Sequence, residues 1–266
     1  MRDPREARRA EAPPVDTHVV TPESREELLR GQRIYAAPSQ PEHGDPHFRL
    51  DVALGTHTRP GYVGSTDLLT RVADDGDFAT DTCVRREGID PATGQRYLEE
   101  LAFEVVNTQR LSEVTAKAEE LTARGVRRIY AVFARKGTVA EWRDGAWETL
   151  ADDAHIDDAC LAAPLPVAAL VRASALGASA VRGLLARGEP ELQRLLSESE
   201  ARGEARGESR GGVHARRASL RAVLDARGVA LTAEDDARIA ACEDGATLDG
   251  WLVRAATATA RGQVFG

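Results

Sequence analysis

Three residues far apart in the chain, Asp81, Glu104 and Lys117, are of the types that metal-assisted phosphodiester hydrolysis uses. Two carboxylates can hold a hard divalent cation through oxygen while leaving it some of its waters. The cation stabilises charge on the phosphate, and a lysine positions or polarises the attacking water. The lysine is informative in itself. Only Lys117 and Lys136 among the 35 basic residues are lysine, in a chain that otherwise uses Arg wherever a positive charge is wanted. Arg presents a broad fork that stays protonated, whereas Lys offers a compact, titratable point charge. Lys136 adjoins Gly137 and reads as a solvated turn residue, so position must single out Lys117.

The neighbouring sequence sets how these residues are held. Period-two alternation over Tyr97 to Val106 points Leu101, Phe103 and Val105 one way and Glu100, Ala102, Glu104 and Val106 the other. Asp67 to Val72 and Phe78 to Arg86 also read as strands, with Asp81 in the second. Turns at Asp74-Asp75-Gly76 and Asp90-Pro91-Ala92-Thr93-Gly94 separate the three. Ser112 then caps an expected helix to Ala123, with Gly125 as its stop. Val114, Ala118 and Leu121 form its apolar stripe, and Lys117 falls on that stripe, so the lysine faces the sheet or snorkels past it. Val126 to Ala134 predicts a buried strand, and Asp144-Gly145 a hairpin turn. Upstream, Thr21-Pro22 predicts a short helix through Leu28-Leu29 that ends at Gly31. Ile34 to Ala37 predicts a strand, and residues 47 to 57 a further helix. His43 and His47 flank Gly44-Asp45-Pro46 and are candidates for contact with phosphate or metal; Asp74, Asp75 and Asp77 read as turn residues.

Composition narrows the class. An apolar fraction of 42% and a charged fraction of 29% are those of a globular protein, and the first residues carry charges with no apolar run behind them. The most apolar stretch, Ala159 to Val171, is broken by Pro164 and Pro166 and is too short to span a bilayer. A cytoplasmic protein without membrane association is expected. Cys83, Cys160 and Cys242 are odd in number and widely spaced, which suits reduced thiols and gives no zinc-type spacing. A net charge of -8 is opposite to the basic footprint of a dedicated duplex binder. Residues 202 to 227 depart from it locally, with seven arginines against two glutamates and one aspartate.

The residues also carry a family resemblance. Glu27-Leu-Leu-Arg-Gly31, the Pro38 to His47 segment, Asp77-Phe-Ala-Thr-Asp81, Leu101-Ala-Phe-Glu104-Val-Val, and Lys117 followed by Gly125-Val-Arg-Arg-Ile-Tyr resemble the Uma family of restriction-endonuclease-like proteins, within the PD-(D/E)XK nuclease superfamily. The resemblance covers roughly residues 21 to 172. It implies an α/β fold, a restriction-endonuclease-like mixed sheet flanked by helices. It makes Asp81 and Glu104 the ligands of Mg²⁺ or Mn²⁺, with Lys117 supplying the lysine from the following helix. Glu27 matches a family glutamate on the first helix, a further catalytic acid. Val106 stands where the superfamily motif has its lysine, and Thr80 replaces the proline of the family's Pro-Asp pair.

The expected organisation is a disordered arm over 1–20, a nuclease-like domain over 21–172 and a helical extension over 173–200. An Arg/Gly/Glu linker over 201–212, helical or flexible, then leads to a small C-terminal all-helical unit over 213–266. Two functions are expected. One is a metal-dependent DNA endonuclease. The other is a catalytically silent nuclease-fold scaffold that acts through protein partners or forms a homo-oligomer through its C-terminal helices.

Overall fold

The computed structural model describes residues 12–36 and 40–265, so Pro38 of the resemblance segment and residues 1–11 of the expected arm lie outside the described residues. Two compact units divide between Glu189 and Pro190. The first is built on one mixed sheet. Its strands are β1 (Glu26–Leu29), β2 (Gln32–Tyr35), β3 (Tyr62–Ala73), β4 (Gly76–Arg86), and β7 (Glu99–Val106) after a short β5–β6 hairpin (Ile89–Asp90, Gln95–Arg96). β8 (Arg128–Phe133), β9 (Thr138–Arg143) and β10 (Ala146–Thr149) complete it. The spatial order is β10-β9-β8-β7-β4-β1-β2, with β3 paired to β4. Among the described residues only β7 and β8 run parallel, joined by helix α2 (Leu111–Arg124), as a parallel pair requires a crossover. Helix α1 (Pro41–His57) brings Leu50 and Leu54 to a core that includes Val84, Leu101, Phe103 and Val105. Ala118 and Leu121 of α2 pack with Phe78, Ala102 and Ile129 in a second core. The expected α/β architecture, a mixed sheet flanked by helices with a helical unit after it, is the one observed.

Strand β4 is paired unequally on its two edges. β3 runs along it from Gly76 to Arg86 on one edge. The other edge is shared: β1 meets it at Asp77, while β7 meets it only from Thr82 to Arg85. Residues 78–81 between those two contacts lack a strand partner on that edge, and the sheet forks there.

Several expectations need correction. Glu27 stands on a strand and not on a helix. Arg30 (φ 51°) and Gly31 (φ 74°) both take positive φ, the requirement of a two-residue type I′ hairpin, and the register Leu29↔Gln32 closes it. Burial of Leu28 and Leu29 in the sheet then outweighs the helix-start signal of Thr21-Pro22. Residues 12–20 are not a free arm. Asp77, which reads as a turn residue in the sequence, is fully buried; it accepts the Val19 and Val20 amides at 2.6 and 3.2 Å and lies 3.0 Å from His18 Nδ1. The helix expected from residue 47 starts at Pro41, which places both His43 and His47 on it.

Helix α4 (Ala173–Ala186) follows a short α3 (Val167–Val171) and clamps α1. A Cβ at Gly183 would lie 2.6 Å from the Thr56 carbonyl oxygen, so glycine permits the close approach. The buried Ser179 hydroxyl meets His57 Nε2 at 3.3 Å in the same contact.

In the second unit, residues 201–212, expected to be helical or flexible, form the middle of a continuous helix, α5 (Pro190–Ala226). Its interior glycines each cost about 1 kcal/mol against alanine, but the intervening Arg, Glu and Ala are strong helix formers, and Leu220 and Leu224 anchor its far end. They pack with α6 (Ala233–Ala241), α7 (Gly245–Ala255) and α8 (Gly262–Phe265) around Ile239, Leu248, Trp251 and Phe265. Thr232 and Asp235 form a reciprocal capping box at the start of α6. No helix among the described residues is long and apolar enough to cross a membrane.

Thiol accessibility tests this packing. Cys83 and Cys160 are fully buried, and burial pushes both thiols up, Cys83 to about 12; Cys242 is only half-buried. A maleimide or iodoacetamide probe on the native protein at mildly alkaline pH is expected to label Cys242 alone, with all three labelled in denaturant. Native labelling of Cys83 would contradict the core described.

Candidate active site

The fork in the sheet leaves backbone groups of β4 to be satisfied by side chains, since a buried unpaired amide or carbonyl costs about as much as a lost hydrogen bond. Glu27 on β1 accepts the Ala79 amide at 3.1 Å. Lys117 on α2 donates to the Ala79 carbonyl at 3.2 Å. His47 on α1 meets the Asp81 carbonyl at 2.7 Å. On the opposite prong, Val105 would continue the β4–β7 ladder beyond Thr82↔Phe103. Its amide instead goes to Asp81 Oδ2 at 2.6 Å. The side chains that fill the gap are thus almost all ionisable.

Lys117 is the centre of the cluster. Its Nζ lies 3.0 Å from Glu27 Oε2 and 3.8 Å from Glu104 Oε2, and 5.2 Å from the centroid of the Phe78 ring. Sequence periodicity leaves two orientations open, and the ammonium points inward. Burial alone would favour the neutral amine, but Glu104, Glu27 and Asp81 outweigh it and hold the lysine above its ordinary range, so it stays charged.

The carboxylates divide. Burial pushes Glu104 up to about 8, with Asp81, Glu27 and Asp67 adding to the rise against the pull of Lys117. Asp81 is held below its ordinary value: burial would raise it, but His43, the Val105 amide and Lys117 prevail. Two neighbouring acids with opposite shifts are the pattern that acid–base and metal chemistry use. Glu104 Oε1 is buried and has no hydrogen-bond partner. An orphaned carboxylate oxygen beside three other carboxyl groups fits a divalent cation, which would both satisfy the oxygen and ionise the acid.

The structure therefore brings Asp81, Glu104, Lys117 and Glu27 together, and adds groups that sequence reasoning misses. Asp67 on β3 sits in the register gap between Thr66↔Thr82 and Leu68↔Thr80, across from Asp81, and its φ of 49° is left-handed. A non-glycine residue rarely takes this conformation, Asp more readily than most, and no sequence pattern announces it. Burial raises the Asp67 carboxyl, with Asp81 and Asp51 contributing. Asp51 on α1 accepts the hydroxyls of Thr66 and Thr82 at 3.0 and 2.7 Å. Its signal is present in the sequence, because it continues the four-residue spacing of His43 and His47. His43 Nε2 lies 3.6 Å from Asp81 Oδ1. Beside the cluster opens a cleft of about 510 Å³ lined by Asp51, Thr66, Thr82, Tyr62, Arg59 and Arg187, among others.

No family model matches the chain, and no curated protein matches it. Among solved structures it is similar to a putative nuclease belonging to DUF820 from Anabaena variabilis ATCC 29413, at 15% identity and a TM-score of 0.47, over 55% of this chain and 89% of that one.

Glu104 gives a pH dependence with a definite sign. Its proton is retained in the folded protein up to about 8 but lost near the ordinary glutamate value on unfolding. The folded state thus binds more protons between those limits, and stability falls as pH rises through that window. Denaturant titrations in EDTA are expected to show Glu104→Gln gaining on wild type from about pH 5 to about pH 8, by on the order of a few kcal/mol at the upper end. A difference that is flat with pH, or that grows toward acid, would refute the buried, proton-bearing carboxyl.

Proposed function

We propose that the first unit is a divalent-cation-dependent nuclease that hydrolyses phosphodiester bonds of DNA, with Asp81 and Glu104 as ligands of Mg²⁺ or Mn²⁺. The observation that carries the reading is the fork, where a charged lysine and three carboxylates from β1, β4, β7 and α2 replace main-chain pairing around one point. The resemblance of these same residues to the Uma family agrees with it.

A bound cation would supply charge to the scissile phosphate and lower the proton affinity of a coordinated water. The protein's own groups do the rest. Lys117 remains protonated and so serves as a hydrogen-bond donor and fixed positive charge, not as a base. It is placed to position the attacking water and to stabilise charge on a non-bridging oxygen. Glu27 holds Lys117 from the other side and fixes its direction. The Val105 amide and His43 keep Asp81 ionised, ready to act as a ligand. The adjoining cleft offers room for a strand, with Arg59 and Arg187 on its wall where phosphates need cations.

Incubation with supercoiled plasmid, single-stranded DNA and RNA in Mg²⁺ or Mn²⁺ tests the reading. Wild type is expected to cut DNA. Asp81→Asn and Lys117→Met are each expected to lower the rate by about 10²-fold or more, the scale for removing one preorganised electrostatic group. Absence of cleavage of all three substrates with either metal, by protein shown to be folded, would leave the silent-scaffold alternative in its place. Equal rates for wild type and Lys117→Met would exclude the lysine from the reaction.

A further inference from the structure

The first three turns of α1 present a second constellation. His43, His47 and Asp51 recur at four-residue spacing, which puts them on one face of the helix. That face meets Asp81: candidate ligand atoms of His43, His47 and Asp81 all lie within 4.8 Å of one another. The two imidazoles stand edge to face, with ring centroids 5.6 Å apart. Asp51 Oδ1 lies 3.7 Å from His47 Nε2 and accepts the Thr66 and Thr82 hydroxyls. Side-chain exposures of 17%, 9% and 17% for His43, His47 and Asp81 leave a route in from solvent while shielding the cluster.

We propose that His43, His47 and Asp81 form a second cation site that takes nitrogen-seeking divalent ions of the Zn²⁺, Co²⁺ and Ni²⁺ class. A pair of histidines one helical turn apart is a geometry that chelates such ions. Imidazole suits them, whereas Mg²⁺ prefers oxygen and sheds its waters reluctantly. Ligation through His47 Nε2 exchanges its bond to the Asp81 carbonyl for the ion. The site shares Asp81 with the proposed nuclease centre but uses neither Glu104 nor Lys117, and it stands whether or not the protein cuts DNA.

Titration of the full-length protein with Co²⁺, followed by its visible ligand-field absorption, separates the two sites without any activity assay. Wild type is expected to develop the bands with saturable binding. His43→Ala and His47→Ala are each expected to weaken Co²⁺ binding about 10-fold or more, while Glu104→Gln keeps the bands. Circular dichroism shows whether each variant is folded, and His43→Gln serves as the milder second variant. Absence of bands in wild type overturns the proposal. So does their survival in the double His43→Ala, His47→Ala variant, or their loss in Glu104→Gln, which would assign the ion to the carboxylate centre.

Discussion

A single buried ammonium holds the architecture of the site together. Lys117 stands between Glu27 and Glu104 at 3.0 and 3.8 Å, where β1 and β7 part along one edge of β4. Take away the cation and Glu27 loses the ion pair that offsets its charge beside Glu104 and Asp81. Breaking a buried pair by removing one partner costs about 3–5 kcal/mol, because it strands the other charge. The fork and the ionic cluster thus depend on each other: the gap in main-chain pairing creates the space, and charged side chains are what satisfy the backbone left bare.

The proposed metal binding rests on the imbalance that remains. One lysine does not neutralise Glu27, Asp67, Asp81 and Glu104; burial first, and then these neighbouring acids, raise the Glu104 carboxyl to about 8, and its Oε1 is left without a partner. A site proposed to bind a divalent ion is better left short of positive charge than fully compensated. The apparent defect, a buried acid without a full set of partners, is what a cation would correct.

Much of this is legible in the sequence, though unevenly. Alternation along β7 separates Glu104 from its apolar neighbours, and helical periodicity puts Lys117 on the sheet side, because burial on one face imposes periods of 2 and 3.6. Family resemblance identifies Glu27 but assigns it to a helix. The Arg30-Gly31 turn decides the matter, through positive φ at a non-glycine residue that composition does not reveal. Asp77 reads as a turn residue because its partners, His18, Val19 and Val20, are nearly sixty positions away in the chain. Local rules see neither such long-range anchors nor the register gap at Asp67. The Arg/Gly/Glu repeat leaves helix and flexible linker open; the helix formers around its glycines and the anchored end at Leu220 and Leu224 carry α5 through.

The central claim is that Asp81 and Glu104 together hold a divalent ion beside a permanently charged Lys117. Crystals of the wild-type protein soaked in Mn²⁺ and measured at a wavelength where manganese scatters anomalously test it most directly. The account predicts an anomalous peak with oxygens of both Asp81 and Glu104 in its coordination shell and Lys117 still turned into the fork. A saturating soak that leaves this position without a peak, or a lysine swung out to solvent, would contradict it.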